Sequence, residues 1–111
     1  MNSENNFSVS VIIPAYNSEK YLARAIQSVL DQTLKPDEII VINDGSTDST
    51  AQIASGFAGM VTVINQPNSG AAAARNTGIN AANNNWIAFL DADDQWLPQY
   101  LQKQIALLKN N

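Results

Sequence analysis

The sequence predicts an α/β fold, a Rossmann-like parallel sheet with helices on both faces. The first observation is a set of short, nearly continuous apolar runs, which are typical of strands buried on both sides. The second is a helix-like apolar pattern between each run and the next, so that the order is βαβαβαβα. Because parallel crossovers are right-handed, these two observations fix most of the topology. We predict the strand order 3-2-1-4 as a working hypothesis.

The four predicted strands differ in how they end. The β-branched first run, residues 9–13, is closed by Pro14, and the second covers residues 39–42. The third covers residues 60–64 and leads into a loop at 66–70. The fourth, residues 86–90, is the most apolar run in the C-terminal half and ends in carboxylates.

Each predicted helix has its own signal. The first has one apolar stripe, with Asn17 or Ser18 as its cap; the stripe consists of Tyr21, Leu22, Ala25, Ile26, Val29 and Leu30. The second turns Ala51, Ala54 and Phe57 inward and ends near Gly56 or Gly59. The third is alanine-rich, residues 71–82, with Gly78 as a weak point. Pro98 opens the fourth helix at a first-turn position. The inward apolar stripe of this helix consists of Leu97, Leu101, Ile105 and Leu108.

Length and composition exclude several classes of protein. The 111 residues make one domain or part of one, and the net charge of −4 with scattered basic residues argues against nucleic-acid binding. The chain has no cysteine and no histidine, so thiolate and imidazole metal sites are excluded, as is the usual general base. We expect residues 1–7 to be a flexible tail without the pattern of a signal peptide. A cytoplasmic location fits this composition, and a downstream segment could attach the full-length protein to a membrane.

Three aspartates follow the fourth strand directly, in the sequence Asp91-Ala92-Asp93-Asp94. Carboxylates this close repel one another, and a divalent cation is the usual way to offset the repulsion. Oxygen ligands suit Mg²⁺, Mn²⁺ or Ca²⁺, and a cation held there would face a phosphate. The alternative is a solvated turn with no ligand.

Two other polar clusters end strands, at residues 14–17 and 43–46. In parallel sheets ligands bind beyond the carboxyl ends of the strands, and the order 3-2-1-4 places all three clusters in one crevice. Tyr16 could present a flat face to a nucleobase or merely pack. Asp44 could bind a ligand or only form a turn and a helix cap. Arg75, near a helix that starts after Gly70, is either a phosphate contact or a surface residue.

Familiar nucleotide motifs are absent. No G-x-G-x-x-G follows the first strand, and no G-x-x-x-x-G-K-[ST] occurs. The aspartate cluster is not an EF-hand, because Gln95 and Trp96 stand where an oxygen ligand and a glycine are needed. The sequence therefore argues against a dinucleotide site and excludes a P-loop and an EF-hand.

Taken together, five strings resemble the family 2 inverting glycosyltransferases with a GT-A fold. In chain order these are VSVIIPAYN (9–17), AIQSVLDQT (25–33), NDGSTD (43–48), ARNTGI (74–79) and FLDADD (89–94). Each string alone is weak, but five in this order and spacing are specific. The resemblance implies that residues 8–111 form the part of a GT-A fold that binds a nucleotide-diphosphate sugar, truncated before the acceptor-binding half.

The resemblance also implies roles for particular residues. Pro14, Ala15 and Tyr16 would hold the base, and Asp44 would accept the imide N–H of a uracil. Asp91-Ala92-Asp93 would be the D-x-D motif, in which Asp93 binds Mn²⁺ or Mg²⁺ and Asp91 contacts the ribose or a metal-bound water. Arg75 would lie near the nucleotide. Asn43 is a departure, because the family often has a second aspartate there.

The implied reaction is transfer of a sugar, with inversion, from a UDP-linked donor to a carbohydrate or lipid-linked acceptor. We expect no catalytic base in this chain, since the family supplies it after the D-x-D segment, downstream of Asn111. In the family another strand pairs with the fourth, so we expect the edge at residues 86–90 to be open and to form a homo-oligomer. Two alternatives remain: a module that binds a nucleotide sugar without transfer, and an inert interaction domain.

Overall fold

A computed structural model describes residues 7–110 of the chain. Within these residues four strands alternate with four helices, as the sequence predicts. The strands are β1 (Val9–Ala15), β2 (Glu38–Asp44), β3 (Thr62–Gln66) and β4 (Trp86–Phe89). The helices are α1 (Leu22–Leu30), α2 (Thr50–Ser55), α3 (Ala71–Ala81) and α4 (Tyr100–Lys109).

The four strands form one parallel sheet in the order β3-β2-β1-β4, which confirms the predicted order 3-2-1-4. Ile12 on β1 pairs with Ile40 on β2 and with Phe89 on β4. β1 is therefore central, and β4 occupies one edge. The carboxyl ends of β1, β2 and β4 consequently lie at the same side of the molecule.

Helices cover both faces of the sheet, as predicted, but the two sides are unequal. The larger core lies beneath α1, α2 and α4, where alternate β1 residues such as Val11 and Ile13 meet Ile26 and Leu101. The smaller core lies beneath α3 and consists of the buried residues Ile12, Ile40, Ile42 and Ala74.

Gly78 explains how α3 approaches the sheet so closely. A Cβ atom at this position would lie 2.5 Å from Cγ2 of Ile12, a distance that no side chain tolerates. The sequence marks Gly78 only as a weak point of a helix. In the structure the missing side chain lets α3 pack directly on β1, so Gly78 is a packing requirement.

Several predicted boundaries are wrong by a few residues. Residues 43 and 44 belong to β2 and not to a turn, because they continue the parallel ladder opposite β3. α1 begins at Leu22 without a side-chain cap, since the carbonyl of Ser18 accepts the N–H groups of Tyr21 and Leu22 in a preceding turn. Asn17 adopts φ 46°, the left-handed region that asparagine tolerates. It does not cap α1, because its Oδ1 accepts the N–H of Thr47.

The C-terminal region also departs from the prediction. α4 begins at Tyr100, so Pro98 precedes the helix and does not occupy its first turn. Leu97 is 80% exposed and is not part of the inward stripe, whereas Leu101 and Ile105 are buried as expected. β4 is not fully buried either, because an edge strand has a neighbour on one side only; Phe89 is 41% exposed.

The expected tail, residues 1–7, lies outside the described residues except for Phe7. Phe7 is half-buried, and its ring centroid lies 5.5 Å from that of Trp86. None of the helices described between residues 7 and 110 combines the length and the apolar character needed to span a bilayer.

Candidate functional site

The ends of β1, β2 and β4 meet in two neighbouring clefts. The Tyr16 cleft, of about 240 Å³, contains every residue for which the sequence suggests a nucleotide contact: Pro14, Ala15, Tyr16, Asp44, Arg75 and Asp91. The Asp93 cleft, of about 400 Å³, is lined by Asp91 and Asp93 together with Pro14 and Tyr16. The two clefts share Pro14, Tyr16 and Asp91, so the predicted base side and the predicted cation side adjoin.

The loops after β1 and β2 are tied together by hydrogen bonds. The N–H of Asn17 donates to Oγ of Ser46 at 2.9 Å, and Oδ1 of Asn17 accepts the N–H of Thr47 at 2.8 Å. The N–H of Ser18 donates to Oγ1 of Thr50, at the start of α2, at 2.7 Å. The unusual φ of Asn17 thus positions the loop that carries Tyr16, whose ring is half-exposed.

Asp44 is the most enclosed charged group of the site, with 3% of its surface exposed. Oδ1 accepts the side-chain N–H of Gln66 at 2.9 Å and the N–H of Ser69 at 2.8 Å. Oδ2 accepts the N–H of Gly70 at 3.0 Å and a longer bond of 3.3 Å from Nδ2 of Asn68. The carboxylate therefore holds the loop between β3 and α3, and it does not cap α2 as the turn-and-cap alternative supposes.

These donors stabilise the ionised form of Asp44. The Gln66 side chain lowers the pKa of this carboxyl below its ordinary value of 3.8, and the N–H groups of Ser69 and Gly70 lower it further, outweighing the opposing effect of burial. A carboxyl with a depressed pKa in the folded state contributes stability above its unfolded pKa. That stability is lost as the pH falls through the folded value.

We predict that Asp44→Asn flattens the acid side of the stability curve. At neutral pH the variant should lose about 1–3 kcal/mol of unfolding free energy, because an NH₂ group would face donors. Below about pH 4 the parent should lose stability faster than the variant, so the two curves converge. Urea denaturation at several pH values measures this. If the unfolding free energies of the parent and the variant differed by the same amount at every pH down to about 3, the proposed role of the carboxylate would be contradicted.

Gln66, Ser69 and Gly70 support Asp44 in the candidate site, and the sequence reasoning missed them. Oε1 of Gln66 accepts the hydroxyl of Thr77 on α3 at 2.6 Å while its amide donates to Asp44. This chain of contacts joins β2, β3 and α3. In the sequence these contacts are indicated only by the polar residue Gln66 at the end of a strand. That position does not show which residues Gln66 will bind.

Arg75 lies on the second turn of α3 and lines the Tyr16 cleft, where it is half-buried. α3 starts directly after Gly70, at φ 99°, whose N–H is already taken by Asp44. The structure therefore favours the cleft position of Arg75 over the alternative of a remote surface residue.

Asp91 and Asp93 are exposed, in a turn where the N–H of Asp94 donates to the carbonyl of Asp91 at 3.0 Å. Within residues 7–110, no group of three or more potential ligand side chains is arranged to hold a metal. The carboxylates of Asp91 and Asp93 face one cleft and offer the oxygen ligands that Mg²⁺ prefers. Two carboxylates alone supply fewer than the roughly six oxygen ligands that Mg²⁺ takes. The donor set fits a cation whose remaining ligands come from phosphate and water, and it does not fit an all-protein cage.

Proteins that resemble this chain in sequence are named as glycosyltransferases. The sequence model described as Glycosyl transferase family 2 matches residues 10–111. The chain is 45% identical over 94 residues to "Glycosyltransferase GlyA" of Streptococcus pneumoniae, an alignment that covers 82% of this chain and 13% of that protein.

Two solved structures show the same architecture. The crystal structure of S. aureus TarS 1–349 in complex with UDP is 32% identical with a TM-score of 0.83, over 93% of this chain and 32% of that one. The mannosyltransferase PcManGT from Pyrobaculum calidifontis, in complex with GDP-Man and Mn²⁺, is 25% identical with a TM-score of 0.76, over 84% of this chain and 30% of that one.

The matched family and the fold agree, and the chain belongs to glycosyl transferase family 2. Its α/β sheet is the N-terminal part of a GT-A fold, as the resemblance implied. The chain spans less than half of the length of each of these relatives.

Proposed function

We propose that this chain binds the nucleoside diphosphate of a nucleotide sugar, with UDP as the preferred nucleotide, for an inverting glycosyltransferase. The observation that carries the proposal is the common cleft, in which residues from β1, β2, α3 and the segment after β4 converge. The neighbours named with UDP and with GDP-Man support this class of ligand.

The base would lie between Pro14, Ala15 and the half-exposed ring of Tyr16. Its imide N–H would donate to Oδ2 of Asp44 in place of the long bond from Asn68, the weakest of the carboxylate's partners. Since the other three bonds remain, Asp44 is held ready to accept one donor. Arg75 would face the nucleotide from α3.

The diphosphate would extend into the Asp93 cleft, where Asp91 contacts the ribose or a metal-bound water and Asp93 binds Mn²⁺ or Mg²⁺ directly. A bound divalent ion would neutralise the charge that develops on the departing diphosphate. The acceptor hydroxyl would attack the anomeric carbon as the bond from that carbon to the diphosphate oxygen breaks. A carboxylate supplied by sequence downstream of Asn111 would take the hydroxyl proton, and carbohydrate or lipid-linked acceptors fit this chemistry.

Titration with UDP by calorimetry, with and without MnCl₂, tests the proposal. We expect binding in both cases and a dissociation constant at least about tenfold lower with Mn²⁺, which places the phosphates against Asp93. The guanine of GDP also offers a ring N–H, whereas the adenine of ADP offers none, so ADP should bind most weakly. No binding of any diphosphate would favour the inert interaction domain.

A binding module without transfer is the second candidate function. It is favoured by the position of Asp94, whose Oδ1 accepts the N–H of Gln95 at 2.8 Å. For the 111 residues alone we expect nucleotide binding without efficient sugar transfer. Release of UDP from UDP-sugars in the presence of acceptor would identify a transferase instead.

We also infer that a second copy of the chain pairs with the β4 edge. β4 contacts β1 on one side, and within residues 7–110 no strand pairs with its other side. Trp86 and Phe89 on this strand are 40% and 41% exposed. Light scattering should therefore show dimers or larger species that the substitution of the exposed Phe89, Phe89→Lys, disfavours. A clean monomer at high concentration would refute the inference.

A further inference from the structure

The segment that follows β4 carries the aspartates, yet it contains no helix or strand before α4. Residues 90–99 form only two turns. On the β4 side this segment is fixed by the N–H of Leu90, which donates to the carbonyl of Ile12 at 3.0 Å. Within the segment Ala92 is buried in the larger core. What holds the other end of the segment is the remaining constraint on where the carboxylates of Asp91 and Asp93 lie.

The other end is held by polar side chains at the end of α1. Gln32 is 1% exposed, and all the polar atoms of its side chain have partners. Its amide donates to the carbonyl of Leu97 at 2.7 Å and to that of Ser28 at 3.0 Å. Its Oε1 accepts the N–H of Leu101 at 2.9 Å. One buried side chain therefore binds both the segment and the start of α4.

Two neighbours of Gln32 extend this attachment. Oγ of Ser28 accepts the N–H of Trp96 at 3.1 Å. The backbone N–H of Thr33 donates to the carbonyl of Pro98 at 2.8 Å, and its hydroxyl donates to Oε1 of Gln102 at 2.6 Å. We call Ser28, Gln32 and Thr33 the α1 clamp. Trp96 follows Asp94 by two residues, so the clamp binds the chain immediately after the turn of residues 91–94.

The direct polar contacts of the turn are weaker. Besides its internal bond from Asp94 to Asp91, the turn receives one bond from the exposed Arg24, whose Nη2 donates to the carbonyl of Asp93 at 3.2 Å. An exposed bond of this kind exchanges readily with water. The bonds of Gln32 and Ser28, which are buried or partly buried, are the stronger constraint, because breaking one leaves an unsatisfied polar group away from water.

We propose that Gln32 is a positioning residue that, with Ser28 and Thr33, presets Asp91 and Asp93 for the cation–diphosphate complex. The proposal rests on the proposed function of the Asp93 cleft. Gln32 lines neither the Tyr16 cleft nor the Asp93 cleft. It acts by fixing residues 96–101 to α1, so that the carboxylates need no rearrangement when the ligand arrives.

The competing explanation is that Gln32 only joins α4 to the core, where Leu101 and Ile105 are buried. A merely structural residue would lower the stability of the chain without a specific effect on the turn. The matched control is Ser10→Ala, because Ser10 is also fully buried and hydrogen-bonded, to Glu38 and Asn84. Ser10 lies at the amino end of β1, opposite to the clefts.

The experiment compares Gln32→Met, Ser28→Ala and Ser10→Ala with the parent chain in two measurements. The first is amide hydrogen exchange of Asp94 and Trp96 without ligand. Both clamp variants should exchange these amides at least about tenfold faster, and Ser10→Ala should not. Ser28→Ala is the milder change, and it decides the question if Gln32→Met does not fold.

The second measurement is the affinity for Mn²⁺ in the presence of UDP. The clamp variants should bind Mn²⁺ about tenfold more weakly, with UDP binding in the absence of metal nearly unchanged. Equal losses in Ser10→Ala, or unchanged exchange and affinity in the clamp variants, would overturn the proposal. If the parent binds no Mn²⁺ with UDP, the proposed function fails, and the exchange rates still decide whether the clamp fixes the turn.

Discussion

Asp93→Ala is expected to abolish the part of UDP binding that depends on Mn²⁺ and to leave the metal-independent part in place. Asp93 lines the Asp93 cleft but not the Tyr16 cleft, so its loss should not disturb the base side. A directly coordinating carboxylate is not replaced by water without a large loss of affinity. We expect the dissociation constant for Mn²⁺ to rise by about 100-fold.

Asp94→Asn is the matched control for this experiment. Asp94 belongs to the same turn, but its Oδ1 accepts the N–H of Gln95, and an asparagine keeps that acceptor. The control removes one negative charge next to the cleft, as Asp93→Ala does, without removing the proposed ligand. Calorimetric titrations of both variants separate the effect of charge from coordination. Equal losses would show that the turn acts only through its overall negative potential.

Gly45→Ala is expected to cause the largest loss of stability of any single methyl addition to the site. Gly45 has φ 72°, and an added Cβ would lie 2.4 Å from the backbone nitrogen of Asn68. The left-handed conformation costs an alanine about 1–2 kcal/mol, and the overlap with backbone atoms adds about 1–3 kcal/mol. We therefore expect the free energy of unfolding to fall by about 2–5 kcal/mol.

Gly59→Ala provides the control for Gly45→Ala. Gly59 also has positive φ, at 94°, but no atom lies within 4 Å of the position that an alanine methyl group would occupy there. This variant should lose only the conformational part, about 1–2 kcal/mol. Urea denaturation measures both losses. Similar values for the two variants would mean that the loop of Asn68 moves aside without cost, and that the close approach does not shape the cleft.

The fold, and the convergence of the predicted site residues on one cleft, could be predicted because both follow from patterns that are local in sequence. Apolar runs define the strands, and polar residues such as Tyr16, Asp44 and Asp91 stand at or directly after their ends. Once the strand order is 3-2-1-4, the geometry of a parallel sheet brings these strand ends together.

The partners of Asp44 could not be predicted in the same way. They come from residues 22 to 26 positions later, and only the packing of β3 beside β2 brings them near. The α1 clamp spans still longer separations, since Gln32 meets residues 97 and 101. The prediction that Leu97 belongs to the core is wrong. It applies helical spacing to a residue that precedes Tyr100, where α4 begins.

The unequal cores on the two sides of the sheet have a consequence for how this sequence can vary. Beneath α1, α2 and α4 the packing is shared among many side chains, so one altered volume can be absorbed by its neighbours. Beneath α3 the backbone of Gly78 rests almost directly on Ile12, and little remains there to readjust. Substitutions should therefore be tolerated better on the side of the sheet that α1, α2 and α4 cover. The inward positions of α3 should tolerate almost no larger side chain.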